Sequence, residues 1–188
     1  MKKRIVVGLS GSSGAIYGVR LIEVLSGLSD VETHVVITQG ARATISYETE
    51  RSPEHVVGLA DAVYEDSELG AAIASGTFVT DGMIVAPCSI KTLSSIANSF
   101  NANLITRAAD VCLKERRRLV LVVRETPLHA GHLRLMIQAT ESGAVILPPV
   151  PGFYARPKTI GNIIDHTVTK VLDQFGIEAD LIDRWEGL

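Results

Sequence analysis

The fold of this chain is decided by the stretch Ile5-Val6-Val7-Gly8-Leu9-Ser10-Gly11-Ser12-Ser13-Gly14-Ala15. A short run that is apolar at successive positions is typical of a strand covered on both faces. The glycines after it permit a tight turn. The apolar residues Tyr17, Leu21 and Val24 then recur at helical spacing. The stretch therefore predicts a strand, a glycine-rich turn and a helix, which is the first half of a βαβ unit.

The same alternation of short apolar runs and longer amphipathic segments continues along the chain. The predicted strands are Arg4–Leu9, Glu32–Thr38, Met83–Pro87, Leu119–Arg124 and Ala144–Leu147. The predicted helices are Ala15–Ser26, Asn103–Arg117, Leu128–Ser142 and Thr159–Phe175, and the last two are followed by glycines that commonly end a helix. This order predicts an α/β protein with a three-layer, Rossmann-like fold, in which helices cover both faces of a mostly parallel sheet. We expect a single domain over residues 1–188.

The composition excludes several classes of protein. Of the 188 residues, 46% are hydrophobic and 21% are charged, which is too apolar for a disordered chain. Lysine and arginine number 18 against 21 acidic residues, so the net charge of −3 does not favour nucleic acid as a partner. No apolar run reaches the ~18 residues of a membrane span, and two lone cysteines fit a reducing compartment, so we expect a cytoplasmic protein. The apolar surplus favours a homo-oligomer.

Two polar turns follow predicted strands, at the sheet edge where parallel α/β proteins bind ligands. The turn Gly11–Gly14 matches neither the dinucleotide nor the P-loop fingerprint, but its glycines and hydroxyls suit an anion. The alternative is an ordinary turn with a serine helix cap. The segment Ser89–Thr92 combines hydroxyls with Lys91 and suits a phosphate, unless it is only a capped helix start. Cys88 before it is expected to be a buried structural thiol.

Charged and aromatic residues further along the chain are less specific candidates. Arg107 and Lys114 lie on one face of a predicted helix, which is also how a solvated charged stripe looks. Arg124 and Glu125 end an apolar strand, where charges are costly unless they have partners or a function. The proline-rich loop before Tyr154 is either a pocket wall or an ordinary rigid connection.

Two further pairs of residues carry weak signals. His129 and His132 are three residues apart but lack the other ligands of a metal-binding pattern, so no metal is expected. Glu48 and Glu50 look like surface acids from their spacing alone.

Taken together, these segments resemble the UbiX family of flavin prenyltransferases. The resemblance covers nearly the whole chain through five segments in order: GSSGAIYGVRL from residue 11, PCSIKTLS from 87, RAADVCLKERR from 107, VRETPLH from 123 and PPVPGFY from 148. It implies that the chain binds FMN and joins a dimethylallyl group from dimethylallyl monophosphate to N5 and C6 of the flavin, without a metal. It also implies that prenylated FMN passes to a UbiD-type decarboxylase and that the chain forms a homo-oligomer, typically a dodecamer.

The resemblance assigns flavin contacts residue by residue. The matching positions are Gly11, Ser12 and Ser13 in the flavin-binding turn, Thr38 where many members have serine, Ser89, Ile90, Lys91 and Thr92 in the flavin phosphate loop, and Arg124. Ser13 is also implied to lie close to flavin N5, and Glu48 matches an acid beside the reacting edge of the flavin.

The prenyl donor has its own set of matching positions. These are Lys114, Glu125, Tyr154 and Lys170 at the prenyl phosphate, Arg107 supplied by a neighbouring subunit, and Trp185 near the site. Lys170 stands where many members have arginine. The guanidinium group of arginine can bind a phosphate through two parallel hydrogen bonds, whereas the ammonium group of lysine is a single compact charge. Three cations, Lys114, Lys170 and Arg124, could stabilise the leaving phosphate. Glu48, Glu125 and the phosphate itself are the candidates for moving protons.

Two other functions remain open at this point. One is an FMN-dependent decarboxylase of aromatic acids or peptidyl cysteine. Cysteine decarboxylases of this fold usually carry asparagine in the phosphate loop, which reads Ser89-Ile90-Lys91-Thr92 here. The other is a flavin carrier without catalytic activity, although such a carrier would not need a second phosphate site.

Overall fold

The computed structural model describes residues 2–185 and 187 as alternating strands and helices. The strands are β1 (Lys3–Leu9), β2 (Val31–Ile37), β3 (Ala62–Tyr64), β4 (Gly82–Cys88), β5 (Arg118–Val123) and β6 (Ala144–Ile146). The helices are α1 (Ala15–Ser26), α2 (Gln39–Glu48), α3 (Pro53–Val57), α4 (Ile90–Ala97), α5 (Leu104–Lys114), α6 (Ala130–Glu141) and α7 (Ile160–Asp173), with a 3-10 turn at Ala72–Ala74. In this part of the chain, every helix is too short or too polar to cross a membrane.

The six strands form one parallel sheet in the order β3-β2-β1-β4-β5-β6. The central strand β1 pairs with β2 on one side, where Ile5 faces Thr33, and with β4 on the other, where Ile5 faces Gly82. The chain therefore reverses its direction of winding between β1 and β4. A crevice forms at such a point because the loops after the two strands turn away from each other.

The sheet separates two hydrophobic cores, which confirms the three-layer prediction. Alternate residues of a strand point to opposite faces. Ile5, Val7 and Leu9 pack with α1, α2, α3 and α7, whereas Val6 packs with α4, α5 and α6. The strands are apolar at nearly every position because helices cover both faces of the sheet.

Most predicted boundaries lie within a few residues of the observed ones. The prediction of α5 to Arg117 is three residues too long, because Arg116 adopts a positive φ of 57° and the Arg117 amide donates to the Cys112 carbonyl. This reversal ends the helix. Gly143 and Gly176 have positive φ, as expected for glycines that end a helix.

Sequence analysis missed α2, α3 and β3, and it considered α4 only as a capped helix start, the alternative to a phosphate site at Ser89–Thr92. In α2 only Ala41 and Ile45 are buried, so the helix carries almost no apolar stripe. The strand β3 has only three residues and pairs with β2 at the edge of the sheet. None of α2, α3 and β3 is long and apolar enough to give a periodic signal.

Candidate functional site

The loops after β1, β2 and β4 meet at the carboxyl edge of the sheet and enclose a crevice of about 420 Å³. Five of the residues expected to hold FMN line it, namely Gly11, Thr38, Ser89, Lys91 and Thr92. Residues that sequence analysis did not single out complete the lining: Ser10, Gln39, Gly40, Asp66, Ser95, Ala102, Asn103 and Thr106.

The turn after β1 is tightly packed against the start of α2. A Cβ added at Gly11 would lie 2.9 Å from the Gly40 backbone, so only glycine fits there without displacing the loop. The Ser12 hydroxyl oxygen is buried and has no hydrogen-bond partner among the described residues. A buried hydroxyl without a partner is costly, and a ligand in the crevice would remove that cost.

The start of α1 contradicts the interpretation of this turn as a simple serine cap. Gly14, at φ 95°, is the N-cap residue, and it has no side chain to cap the helix. The Glu48 carboxylate takes that place, since its Oε2 accepts hydrogen bonds from the amides of Gly14 at 2.8 Å and Ala15 at 3.2 Å. Glu48 is thus more than the surface acid its spacing suggested, and it lies beside the exposed Ser13.

The turn after β4 joins the same crevice and begins α4. The Ser89 hydroxyl caps this helix by accepting from the Thr92 amide at 3.2 Å. The buried Ser10 hydroxyl donates to the Pro87 carbonyl at 2.9 Å and accepts from the Ser89 amide at 2.8 Å, which ties the first loop to the second. The free amides at the start of α4, together with Lys91, suit a phosphate group. The side chain of Ile90, in contrast, packs toward the hydrophobic core.

Thr38 and Arg124 flank these two turns. The Thr38 hydroxyl caps α2 by accepting from the Ala41 amide at 3.1 Å. The Arg124 amide donates to the Cys88 carbonyl at 3.2 Å, and its Cγ would lie 3.8 Å from a Cβ placed on Gly14. Arg124 therefore lies next to both the first and the second turn.

Asp66 is a candidate ligand contact that sequence analysis missed. Its Oδ2 accepts from the side-chain Nδ2 of Asn103 at 2.9 Å, while its Oδ1 is buried without a partner among the described residues. Both residues line the crevice. Asp66 follows the unrecognised strand β3, so no motif in the sequence marked it.

The residues expected on α5 are spread along the whole helix. Arg107 forms an ion pair with Asp110 at 3.0 Å, and its Nε donates to the Ala74 carbonyl at 3.1 Å. The helix starts at the crevice and runs about 15 Å to Lys114 at 1.5 Å per residue. Lys114 pairs with Glu115, close to the start of β5. The structure does not bring Lys114 to the crevice of its own chain.

A second cluster lies on the loop after β6, on α7 and on the C-terminal segment. The Tyr154 hydroxyl is 2.7 Å from His166 Nε2, and the Tyr154 and Trp185 ring centroids are 5.8 Å apart. Lys170 lies one turn beyond His166, with its Nζ 3.8 Å from the Asp173 carboxylate. Glu125 is exposed and its Oε1 accepts from the Thr126 amide at 2.9 Å. None of these residues lines the crevice.

Cys88 does not provide a nucleophile. The side chain is fully buried between β4 and its neighbours, and burial raises the pKa of the thiol far above its usual value. A thiol that stays protonated is a poor nucleophile. The structure therefore agrees with the prediction of a buried structural cysteine.

The sequence matches a known protein family and several named relatives. The model of the family described as Flavoprotein matches residues 1–172. The chain is 62% identical over 184 residues to flavin prenyltransferase UbiX of Thauera aromatica, with 98% of this chain and 94% of the relative covered. It is 58% identical over 187 residues to flavin prenyltransferase UbiX of Escherichia coli K12, with 98% and 99% covered.

Solved structures give the same result. The crystal structure of AnUbiX in complex with FMN and dimethylallyl pyrophosphate superposes with a TM-score of 0.98 at 48% identity over the whole of both chains. A structure described as a dodecameric FMN-dependent Ubix-like decarboxylase from Escherichia coli superposes with a TM-score of 0.96 at 46% identity, covering 98% of this chain and all of the other. The cysteine decarboxylase TvaF, at 17% identity and a TM-score of 0.68, shares the fold alone. With its turns, its sheet order and nearly its whole length matched, the chain belongs to the UbiX flavin prenyltransferases of the flavoprotein family.

Proposed function

We propose that this protein transfers a dimethylallyl group from dimethylallyl monophosphate to N5 and C6 of reduced FMN. The observation that carries the proposal is the crevice between β1 and β4, which offers hydroxyl groups and a cationic helix start at Lys91. Next to its lining residue Gly11, the Ser12 hydroxyl is buried without a partner among the described residues. Relatives of up to 62% identity among those compared are named flavin prenyltransferases. A single flavoprotein domain over residues 1–188 is part of the proposal.

The crevice residues fit FMN by the chemistry of their groups. Ser89, Thr92 and the amides at the start of α4 would bind the flavin phosphate, and Lys91 would neutralise its charge. Gly11, Ser12, Thr38 and the neighbouring Asp66 would bind the rest of the molecule, and Arg124 would contact both flavin and phosphate. Bound reduced FMN supplies the ring atoms N5 and C6 at which the new bonds form.

The prenyl donor needs groups that stabilise a leaving phosphate. Breaking the allylic C–O bond places negative charge on the phosphate and positive charge on carbon. Lys114, Lys170 and Arg124 would stabilise the leaving phosphate, and Tyr154 would shelter the allylic cation with the face of its ring. In the single chain Lys114 ends a helix that begins at the crevice, so we propose that it serves a neighbouring subunit. Arg107 would likewise come from a neighbour.

Carboxylate groups are the candidates for accepting the proton that the flavin releases. The ring loses a proton from C6 when the second bond forms, and a base must accept it. Glu48 lies beside Ser13 and is exposed enough to reach a bound ligand. Glu125 and the departing phosphate are the other candidates. No metal is part of this proposal.

The assembly and destination of the product extend the same proposal. One solved relative is described as dodecameric, and we propose a dodecamer for this chain as well. Prenylated FMN would be handed to a UbiD-type decarboxylase, and the reaction would take place in the cytoplasm.

One incubation tests the function against its alternatives. The protein is mixed anaerobically with reduced FMN and dimethylallyl monophosphate, and the flavin is analysed by mass spectrometry. A gain of one five-carbon unit supports the proposal. Carbon dioxide released from an aromatic acid or a cysteine peptide, without any flavin gain, would instead indicate a decarboxylase. Retained but unchanged FMN, with neither product, would indicate a carrier.

A further inference from the structure

Tyr154 is exposed, yet its hydroxyl has a defined partner. About half of the side chain, 54%, is open to solvent. The hydroxyl oxygen is 2.7 Å from Nε2 of His166, and the two rings meet edge to face with centroids 5.5 Å apart at 74°. Sequence analysis did not single out His166, because it lies twelve residues away on a different element.

His166 is held in place by its helix. Thr159 and Asn162 form a capping box at the start of α7, and Thr167, Val168 and Thr169 after His166 are buried. Asp165 forms an ion pair with Arg20 of α1 at 2.7 Å, which fixes α7 immediately beside the histidine. The helix backbone that carries His166 is therefore held in place, whereas Tyr154 lies on a loop.

The loop is shaped so that the two rings can meet. A Cβ added at Gly152 would lie 3.0 Å from His166 Cε1 and 3.1 Å from Tyr154 Cε1. A side chain at this position would therefore require one or both rings to shift by a few tenths of an ångström. Trp185 contacts Tyr154 from another direction, edge to face at 77°. The Tyr154 ring thus packs against His166 and Trp185, although about half of the residue is exposed.

The direction of the 2.7 Å hydrogen bond decides what Tyr154 can do. The oxygens of a phosphate dianion only accept hydrogen bonds, so a tyrosine that binds the dianion must donate its single hydroxyl hydrogen to it. If the hydroxyl donated to His166 Nε2, that hydrogen would not be available for a hydrogen bond to the phosphate. When Nε2 carries the hydrogen instead, it donates to the tyrosine oxygen and leaves the hydroxyl hydrogen free.

We propose that His166 is a positioning residue for Tyr154, whose hydroxyl it orients by donating from Nε2 so that the hydroxyl donates to the phosphate of the prenyl donor. This inference rests on the proposed function. His166 itself does not contact the donor. It acts through the geometry and polarity of the tyrosine hydroxyl, so its effect must disappear when that hydroxyl is absent.

The test is a double-mutant cycle with a rescue variant. His166→Phe keeps a ring against Tyr154 but removes the donor, whereas His166→Gln keeps an N–H donor near the position of Nε2. We expect kcat/KM for dimethylallyl monophosphate to fall about tenfold in His166→Phe, equivalent to one hydrogen bond to a charged group, and to recover in His166→Gln. Adding His166→Phe to Tyr154→Phe should cause no further loss. The Kd for FMN should stay unchanged in all four variants.

Controls separate this effect from a loss of structure. His55→Phe changes an exposed histidine on α3 and should leave kcat/KM at the wild-type value. The Kd of dimethylallyl monophosphate for protein loaded with oxidised FMN, measured by calorimetry, should follow the same pattern without turnover. If His166→Phe does not fold, His166→Asn, whose amide is too short to reach Tyr154, replaces it.

Each result has one meaning. Equal losses in the single Tyr154→Phe variant and the double variant, with rescue by glutamine, support the inference. Wild-type activity in His166→Phe, or losses that multiply in the double variant, would overturn it while leaving the prenyltransferase function intact. No prenylated flavin from the wild-type protein would overturn the proposed function and this inference together.

Discussion

The Glu48 carboxylate serves the fold through its contacts with the first amides of α1. Its Oε2 accepts from Gly14 and Ala15, and a negative charge is favourable at the positive end of a helix dipole. The same contacts place it next to Ser13. One side chain therefore shapes the flavin turn and lies where a proton acceptor would be needed.

Glu48→Gln separates these two roles. The amide oxygen can still accept from the Gly14 amide, so FMN should bind with nearly unchanged affinity. The charge needed to accept a proton is gone, and kcat should fall at least 100-fold, as is typical for loss of a general base. Flavin fluorescence titration and product mass spectrometry measure the two effects. Full turnover by this variant would remove Glu48 from the mechanism.

Gly11 offers a residue-scale test of the flavin turn itself. In Gly11→Ala the added methyl group would meet the Gly40 backbone at 2.9 Å, so one loop must shift at a cost of about 1–3 kcal/mol. We expect affinity for FMN to fall at least tenfold. Gly70→Ala is the matched control, since no atom of the described residues lies within 4 Å of its added Cβ. Equal FMN affinity in the two variants would contradict this role for Gly11.

Among the elements, β1 and β4 are joined at their ends by one buried hydroxyl. Ser10 at the end of β1 is 1% exposed and bonds to Pro87 and to the Ser89 amide, at the end of β4. These bonds set the distance between the two turns that line the crevice. The spacing between the turns Gly11–Gly14 and Ser89–Thr92 thus depends on a residue outside both.

Ser10→Ala should leave the Pro87 carbonyl and the Ser89 amide without this partner. Loss of a buried partner costs about 1–3 kcal/mol of unfolding free energy. Denaturant unfolding measures this cost, and Ser26→Ala, which removes an exposed hydroxyl bonded only to the Glu23 carbonyl, should cost less than about 0.5 kcal/mol. The same cost in both variants would show that Ser10 does not hold the two turns together.

Across the whole molecule, the positions expected to handle one reaction are dispersed. Five of the residues expected to bind FMN line one crevice, whereas Lys114 ends α5 near the start of β5. Exposed apolar side chains on α6, such as Leu133 and Ile137, leave a surface suited to contact with another copy. A site completed by neighbouring subunits accounts for both observations.

Hybrid oligomers test this arrangement. Lys114→Ala and Glu48→Gln are each expected to be inactive alone, and the two chains are coexpressed with different tags and isolated as hybrids. If Lys114 serves a neighbour, some sites in the hybrid carry both wild-type residues, and a measurable fraction of the wild-type rate, about a quarter or less, should return. A hybrid of Ser13→Ala with Glu48→Gln is the control, because both residues border the same turn of one chain. Recovery in neither hybrid would place Lys114 in the site of its own chain.

The central strands and their adjoining turns could be read from the sequence because their signals are local. The apolar run before Gly11 and the glycines after α6 and α7 carry their meaning within a few residues. The same holds for the polar turns at Gly11–Gly14 and Ser89–Thr92, which follow buried strands directly.

Tertiary structure alone decided the rest, because it depends on residues that are distant in sequence. No periodic pattern marks the sheet order, the short strand β3, the Glu48 contacts with α1 or the His166–Tyr154 pair. The same holds for the Asp66 oxygen that lacks a partner among the described residues. In each case two or more elements had to pack before the polar groups could meet. Hydrogen bonds between distant residues are set by that packing, whereas strands and helix ends are set by the neighbouring residues of the chain.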